Sequence, residues 1–299
     1  MKKIERKLQE ISKSLLLTLP AEWARQFKLK KGSTVEVAVA DDGFLRIAPV
    51  LKEKHVVKRA LIDYDSALLR RFFREYLAGN EFITIRNVKS ADKKALLDFI
   101  QNNLMNVEIV EETKDKIVVQ NFKLENITIN SCFKRMYFIV KGMYDDLLAG
   151  DKSDIKDKDK SVAKFYYMLV RLVRQSMEQS RFLMEQELEP IEIVDYRLAA
   201  EKIERIGDLL KDLSDLKYAK DVENYGKDVK KYVDEAVLAF LSKDFDKAVQ
   251  LWKSKSAMNK KYFALKKKKK DKQDMEALYC FYLIFLHASS LASLVRGKL

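Results

Sequence analysis

The sequence predicts a multidomain α+β protein, in which a small β module, a small α/β domain and an all-helical bundle follow one another. The first 50 residues show strand spacing and turn residues, and residues 51–125 alternate strand and helix patterns. The remainder contains a single proline and long helical patterns. At 299 residues the chain is also longer than one usual domain. We therefore predict domains at residues 1–50, 51–125 and 126–299.

The first segment predicts a strand, a short helix and a β-hairpin. An apolar strand at residues 15–19 ends at Pro20, and proline favours the first turn of the helix predicted at residues 21–27. Valines then alternate with other residues from Val35, and Asp41-Asp42-Gly43 turns the chain into a second strand. So short a segment cannot cover both faces of its strands, so we expect it to bury them against a second copy.

The middle segment alternates strands and helices. We predict strands at residues 54–62 and 81–88, helices at 65–78 and 90–104, and a final strand pair at 107–110 and 117–119. These elements come with neither a glycine-rich phosphate loop nor a grouping of nucleophile and base. We interpret the segment as a scaffold or a dimerisation layer, and a ligand-sensing role stays open.

The last segment predicts six helices, at residues 131–149, 161–186, 193–216, 222–241, 245–268 and 272–295. Leu147, Leu148 and Asp151 near the end of the first helix correspond to Val237, Leu238 and Asp244 near the end of the fourth. This correspondence indicates two three-helix repeats.

The last predicted helix also has to be weighed as a membrane span. Residues 278–295 contain no Asp, Glu, Lys or Arg and approach the roughly 20 apolar residues that a span needs. His287 and three serines make the stretch more polar, and positive charge lies on both flanks. We therefore favour a buried bundle helix and predict no membrane insertion.

Charge and cysteine content favour a cytoplasmic protein that can bind a polyanion. The net charge is +13, with both signs mixed among the 34% of residues that are charged. Cys132 and Cys280 lie in apolar surroundings without zinc or disulfide spacing, and the N-terminus lacks the features of a secretory signal. The densest charge run, residues 266–270 with Lys272, is interpreted as a solvated helix end or loop rather than a nucleic-acid or membrane-surface patch.

A family resemblance lies at the N-terminus, in RKLQEISKSLLLTLPAEWARQFKLKKGSTVEV (residues 6–37) and the DDGFLRIAP that follows. The apolar strand ending in Thr-Leu-Pro, the helix with Trp23, the Leu-Lys-Lys-Gly turn and the Gly43 hairpin resemble AbrB/SpoVT (MazE-like) modules. The resemblance implies an intertwined, swapped-hairpin homodimer that presents strands and loops to the major groove of double-stranded DNA. The residues that match the family's basic contact positions are Arg6, Lys7, Lys13 and Arg25. Ser12 and Ser14 stand where the family often has a glycine.

A second resemblance lies in EKIERIGD, residues 201–208, and the leucines after it. This segment resembles the ER-x-x-D helix of the PhoU family, the regulators of phosphate uptake, and implies a PhoU-like bundle. The order of the three segments also resembles archaeal PhoU-like regulators that have this N-terminal module. The resemblance further implies that Glu204 and Asp208 can hold metal ions, in a divalent or iron-type cluster, and that the bundle can act on phosphate transporter or signalling proteins.

The spacing of the carboxylates does not decide whether they bind a metal ion. Glu201, Glu204 and Asp208 fall three and four residues apart, so that they share one face of a helix and repel one another. They are tolerated there if neighbouring Lys and Arg residues pair with them, or if a cation bridges them. In the second repeat, Phe285 and Ser289 occupy the corresponding positions.

These observations predict a DNA-binding transcription regulator of phosphate-uptake genes, in which the helical domain receives the signal. No Ser/His/Asp or Cys/His arrangement is present, and the chain has two histidines, so we do not expect an enzyme. The first alternative is a PhoU-like adaptor for transport or signalling proteins whose N-terminal module only dimerises. The second is a metal-storing or metal-dependent catalytic bundle.

Overall fold

The computed structural model describes residues 4–39, 43–50, 57–124, 126–178 and 180–296. The chain falls into two compact units, residues 1–56 and residues 57–299. The predicted fold class is confirmed, because small N-terminal strands, a middle sheet with helices and a helical region follow one another. The predicted boundary at residue 125 lies inside the second unit, and the three-domain division stays a prediction.

The first unit contains two antiparallel hairpins joined by a short helix. Strands β1 (Gln9–Ile11) and β2 (Ser14–Leu16) form the first hairpin, helix α1 (Ala21–Gln26) follows, and β3 (Val35–Val39) and β4 (Leu45–Pro49) form the second. The helix and the second hairpin agree with the sequence prediction, although Asp41 and Asp42 lie outside the described residues.

The first hairpin was not predicted from the sequence. We expected one strand at residues 15–19, whereas β2 spans Ser14–Leu16. Strand β1 has three residues, too few to show an alternating pattern. Ser12 and Lys13 connect the strands with φ of 49° and 70°. Two successive residues with left-handed φ form the turn type whose twist matches that of the two strands it joins. Ser12 therefore has a backbone conformation that is more usual for glycine.

The first unit has no buried core within one chain, because every residue of it whose side chain the structure describes is exposed or only partly buried. The exposed fractions reach 69% at Leu15, 78% at Val39 and 65% at Phe44. Burial of such a side chain stabilises a fold by about 1.5–3 kcal/mol, and a single copy does not gain this term. The arrangement therefore favours association through these strands.

A four-stranded sheet covered by two helices begins the second unit. Strands β5 (Arg59–Asp63), β6 (Phe82–Arg86), β7 (Val107–Glu112) and β8 (Lys116–Asn121) lie in the order β5-β6-β8-β7, and β5 and β6 are parallel. Helices α2 (Leu68–Leu77) and α3 (Ser90–Asn103) cover one face. All six elements agree with the prediction, except that the first strand starts later than residue 54, and residues 51–56 lie outside the described part.

Among the residues that the structure describes, seven helical segments complete the second unit. They are α4 (Ile129–Ala149), α5 (Ile155–Glu178), α6 (Ser180–Glu185), α7 (Pro190–Ser214), α8 (Lys220–Ser242), α9 (Phe245–Lys268) and α10 (Lys272–Ala292). The second predicted helix differs most, since it starts six residues earlier than residue 161. Its predicted end at residue 186 agrees with the end of α6, and residue 179, between α5 and α6, lies outside the described residues. The first turns of α5 are rich in Asp and Lys and hide the apolar periodicity, although Ile155 is fully buried there.

The long helices pack as two groups of three, as the repeats predicted. Helices α4, α5 and α7 contact one another, as do α8, α9 and α10, and α10 also packs against α7. Helix α5 contacts α2 and α3 as well, and its Val170 lies in the core of the sheet while Leu169 lies in the core of the bundle. The sheet and the bundle therefore share this helix.

Helix α10 is, among the described residues, long and apolar enough to cross a membrane by length and composition. Half of its most apolar window is buried, and Phe281, Ile284 and Phe285 are fully enclosed by the bundle. This burial is typical of the core helix of a helical bundle.

Two helical glycines provide a test of core packing. A Cβ at Gly226 of α8 would lie 2.6 Å from the buried ring of Phe281, whereas a Cβ at Gly142 of α4 would meet nothing within 4 Å. We expect Gly226→Ala to destabilise the protein by about 1–3 kcal/mol, because the ring has no room to move. Gly142→Ala should instead stabilise it by up to about 1 kcal/mol through helix propensity. Urea unfolding monitored by circular dichroism measures the free energy of unfolding of both variants. Equal changes in the two would contradict the close packing of Gly226 against Phe281.

The exposed strands of the first unit provide a second test. We expect the full chain to sediment as a dimer and Leu15→Asp to shift it toward monomer, because a charge buried in an apolar interface is strongly destabilising. Leu238→Asp is the matched control, since Leu238 lies on α8 with an exposed fraction of 58%. Sedimentation velocity at micromolar concentration measures both variants, and a monomeric wild type would exclude association through these strands.

Candidate nucleic-acid interface and carboxylate face

The four basic residues predicted to contact DNA are all exposed on the first unit. Lys13 lies at the tip of the first hairpin, Arg6 and Lys7 precede β1 at its other end, and Arg25 lies in the last turn of α1. In the described part of the chain, none of the four forms an ion pair with a carboxylate. Their charges therefore remain available for an external anion.

The hairpin keeps Lys13 apart from Arg6 and Lys7 instead of gathering all the charges at one point. The three residues of β1 alone span roughly 10 Å at the rise of an extended strand. The major groove of DNA is about 12 Å wide. Long basic side chains at the two ends of the hairpin can therefore reach phosphates on both sides of such a groove.

Local contacts fix the helix that presents Arg25. The rings of Trp23 and Phe27 pack edge to face with centroids 5.4 Å apart, and the backbone N–H of Leu29 donates to the carbonyl of Ala24 at 2.8 Å. Gly32 then turns the chain with a φ of 86°, a left-handed conformation that favours glycine. The glycine of the predicted Leu-Lys-Lys-Gly turn is therefore favoured by the backbone conformation at that position.

The predicted metal-binding carboxylates lie on α7, and each of them faces basic side chains. Glu201 lies 3.6 Å from Arg197 and 4.0 Å from Lys202. Glu204 lies 3.8 Å from Arg205, and Asp208 lies 3.4 Å from the same arginine. The structure therefore places each of the three carboxylates in an ion pair, and Glu204 and Asp208 form a network through their shared partner Arg205.

Lys211 extends this network to a second helix. Its ammonium group donates to Asp208 at 3.0 Å and to Asp159 of α5 at 2.7 Å. Burial alone would lower the pKa of Lys211, but these hydrogen bonds raise it, so the lysine stays protonated. The sequence analysis missed Asp159, because no spacing within one helix can show a partner on another helix.

Glu204 is the most buried of the three carboxylates, and its charged form is the least favoured. Burial raises the pKa of Glu204 above its ordinary value, and the negative charge of Asp208 raises it further. The side chain of Glu204 is 19% exposed, compared with 38% for Glu201 and 33% for Asp208. Ionised Glu204 therefore opposes folding slightly at neutral pH.

The described carboxylates fit an ion-pair network better than a cation site. Within the ranges that the structure describes, no group of three or more His, Cys, Asp or Glu side chains is placed to hold a metal ion. His287 of α10 faces α7, but burial and the charges of Lys202 and Arg205 lower its pKa. In the second repeat, Phe285 is fully buried. We derive no metal chemistry from this face, and metal binding by Glu201, Glu204 and Asp208 stays a prediction.

Comparison with known proteins identifies the N-terminal module. Residues 9–55 match the family described as antidote-toxin recognition MazE, bacterial antitoxin, which confirms the MazE-like resemblance seen in the sequence. No curated protein matches the chain by sequence. The chain is also similar to the crystal structure of PhoU from Pseudomonas aeruginosa, with 18% identity and a TM-score of 0.45. That similarity covers 56% of this chain and 93% of the other.

The raised pKa of Glu204 leads to a pH-dependent prediction. A carboxyl whose pKa is raised in the folded state destabilises the fold above that pKa, and the penalty vanishes below the ordinary pKa of about 4. We expect Glu204→Gln to raise the melting temperature at pH 7 and to match the wild type below about pH 4. Thermal melts at both pH values measure the difference.

Two controls separate this effect from metal binding. Glu201→Gln, on the same face but more exposed, should change the melting temperature less than Glu204→Gln does. If the face instead holds a cation, a chelator should lower the melting temperature of the wild type, and Glu204→Gln combined with Asp208→Asn should remove that effect. A lower melting temperature of Glu204→Gln at pH 7 would contradict the burial argument.

Proposed function

We propose that this protein is a homodimeric DNA-binding transcription regulator whose helical unit receives the controlling signal. The main support is the match of residues 9–55 to the MazE family, in a unit where the basic residues Arg6, Lys7, Lys13 and Arg25 are exposed. We place the protein in the cytoplasm, in keeping with its two cysteines, which are free and buried. We propose no enzymatic activity.

Electrostatics supports DNA as the ligand of the first unit. Lysine and arginine side chains that neutralise phosphates release counterions, and this release supplies most of the affinity that does not depend on sequence. Exposed cations without carboxylate partners suit this role, because no internal ion pair has to break first. Arg6 and Arg25 can in addition donate two hydrogen bonds to a guanine edge.

The proposed dimer follows from the missing core of the first unit. The strands expose Leu15, Val39 and Phe44, and a second copy of the same strands offers a matching apolar surface. Closed two-fold pairing is also the commonest way in which soluble chains associate. A dimer would present two basic hairpins, which suits a DNA site with two half-sites.

We propose phosphate-uptake genes as the target, on the resemblance of residues 201–208 to the PhoU helix. Binding of phosphate transporter or signalling proteins to the helical unit would then supply the signal. The alternative function is an adaptor for such proteins whose N-terminal module only dimerises. Sequencing of the chromosomal DNA that is crosslinked to the protein in cells separates the two, since an adaptor enriches no defined sites.

Salt dependence provides the sharper test in vitro. We expect Arg6→Ala with Lys13→Ala to weaken binding to duplex DNA and to reduce the slope of log affinity against log salt by about 2, since each lost phosphate contact contributes about 0.9. Fluorescence anisotropy of a labelled duplex between 50 and 200 mM salt, roughly the range over which this effect is large, measures the slope.

The matched control removes the same charge from a different place. Lys30→Ala with Lys31→Ala deletes two lysines from the turn after α1 and should reduce the slope less than the first pair does. Equal slopes for both double variants would mean that net charge alone drives binding. An unchanged slope for Arg6→Ala with Lys13→Ala would remove these residues from the interface.

A further inference from the structure

The outward side of α9 exposes aromatic residues between lysines. Phe245, Trp252 and Phe263 have exposed fractions of 50%, 71% and 51%. At about 100° per residue they lie within about 20° of one another around the helix and extend over roughly 27 Å along it. The adjacent side, which begins about 60° around the helix and includes the buried residues Leu251 and Tyr262, packs in the bundle. An exposed aromatic stripe therefore runs along one flank of α9, and at one end of it the ring of Phe263 also packs against Tyr262 at a centroid distance of 5.1 Å.

Lysines flank this stripe on both sides. Lys253 and Lys260 lie on one side and Lys255 on the other, and none of them forms an ion pair with any residue that the structure describes. By contrast, Lys247 lies 3.0 Å from Glu235, and Lys261 lies 2.8 Å from Asp228. We call Phe245, Trp252, Phe263, Lys253, Lys255 and Lys260 the α9 face.

The α9 face is shallow and long. A cavity of about 840 Å³ runs along it, and α9 alone supplies the lining, from Trp252 to Lys268. No second element described in the structure closes this cavity over a ligand. An extended surface fits such a site better than a small molecule does, because small-molecule sites enclose most of the ligand.

The charges and side-chain types of the α9 face indicate which kind of partner it binds. Helix α9 has eight lysines and one aspartate, so a second copy of the same face would be repelled. The phosphates of duplex DNA would neutralise the lysines but would leave Trp252 and Phe263 in water. The surface of an anionic bilayer satisfies both groups, since lysines bind its phosphates while Trp and Phe rings bury in the boundary between headgroups and acyl chains.

We propose that the α9 face docks this protein on a surface of anionic phospholipids. Docking is peripheral, because α9 keeps its apolar inward side in the bundle and offers only the aromatic stripe and the lysines to the lipid. The inference goes beyond the proposed function and does not depend on it, since all residues of the α9 face belong to the second unit.

Vesicle co-sedimentation of the full chain tests this proposal. We expect binding to vesicles of phosphatidylcholine with phosphatidylglycerol, little binding to phosphatidylcholine alone, and release by salt. Lys253→Gln, Lys255→Gln and Lys260→Gln together should lower the partition coefficient by at least about tenfold. Trp252→Ala with Phe263→Ala should also lower it, through loss of apolar burial.

Matched variants on another surface control for charge and hydrophobicity. Gln at the exposed lysines Lys123, Lys134 and Lys141 removes the same charge, and Phe138→Ala removes an aromatic residue of α4 with an exposed fraction of 66%. Both should keep the partition coefficient of the wild type. Equal loss in the control variants, or no binding of the wild type to anionic vesicles, would overturn the proposal.

Tryptophan emission gives a second readout. The chain has two tryptophans, so the difference between wild type and Trp252→Phe reports on Trp252. We expect this difference emission to shift to shorter wavelength on anionic vesicles, because the indole leaves water. If instead the shift arises with single-stranded DNA and not with vesicles, base stacking occupies the face and the lipid proposal is wrong.

Discussion

Helix α5 has to fill two hydrophobic cores at once, and the assembly of the second unit depends on this. Leu169 lies in the core of the bundle and Val170 in that of the sheet, although the two residues are adjacent. Next to them, the guanidinium of Arg171 lies 4.9 Å from the ring centre of Tyr76, and burial lowers the pKa of this arginine. The ring of Tyr76 and the negative charge of Glu81 act against this effect and stabilise the cation. The sheet and the bundle are thus held together by apolar contact and by a cation–π contact.

The two units obtain stability in different ways. The second unit encloses large aromatic side chains such as Phe133, Phe281 and Phe285 within one chain. The first unit encloses no described side chain and relies on turns, short hydrogen-bonded ladders and a Trp23–Phe27 contact. Association and nucleic-acid binding would stabilise the first unit by mass action, whereas the second is stable by its own packing. Both proposed interactions, dimerisation and DNA binding, therefore involve the first unit, which gains less stability from packing within one chain than the second unit does.

The sequence predicted most elements because apolar periodicity marks them. Sheet and bundle elements such as β6, α3 and α9 were predicted within a few residues, since their buried positions recur regularly. The hairpin at Ser12 and Lys13 was missed, because two left-handed residues without glycine leave no local signal. The pairing of Lys211 with Asp159 was missed for another reason, since only tertiary packing brings α5 and α7 together. At the carboxylate face, spacing predicted which side chains share a surface but not which partners neutralise them.

The turn at Lys13 sets two requirements on one residue. Its φ of 70° lies in a region that glycine adopts without the steric cost that any other side chain meets there. Glycine would relax the hairpin but would delete the cation at its tip, and lysine keeps the cation at the expense of backbone strain. Variants selected for thermal stability should therefore tend to acquire glycine at this position, whereas variants selected for binding a polyanion should retain the lysine. Conformational stability and affinity act in opposite directions here.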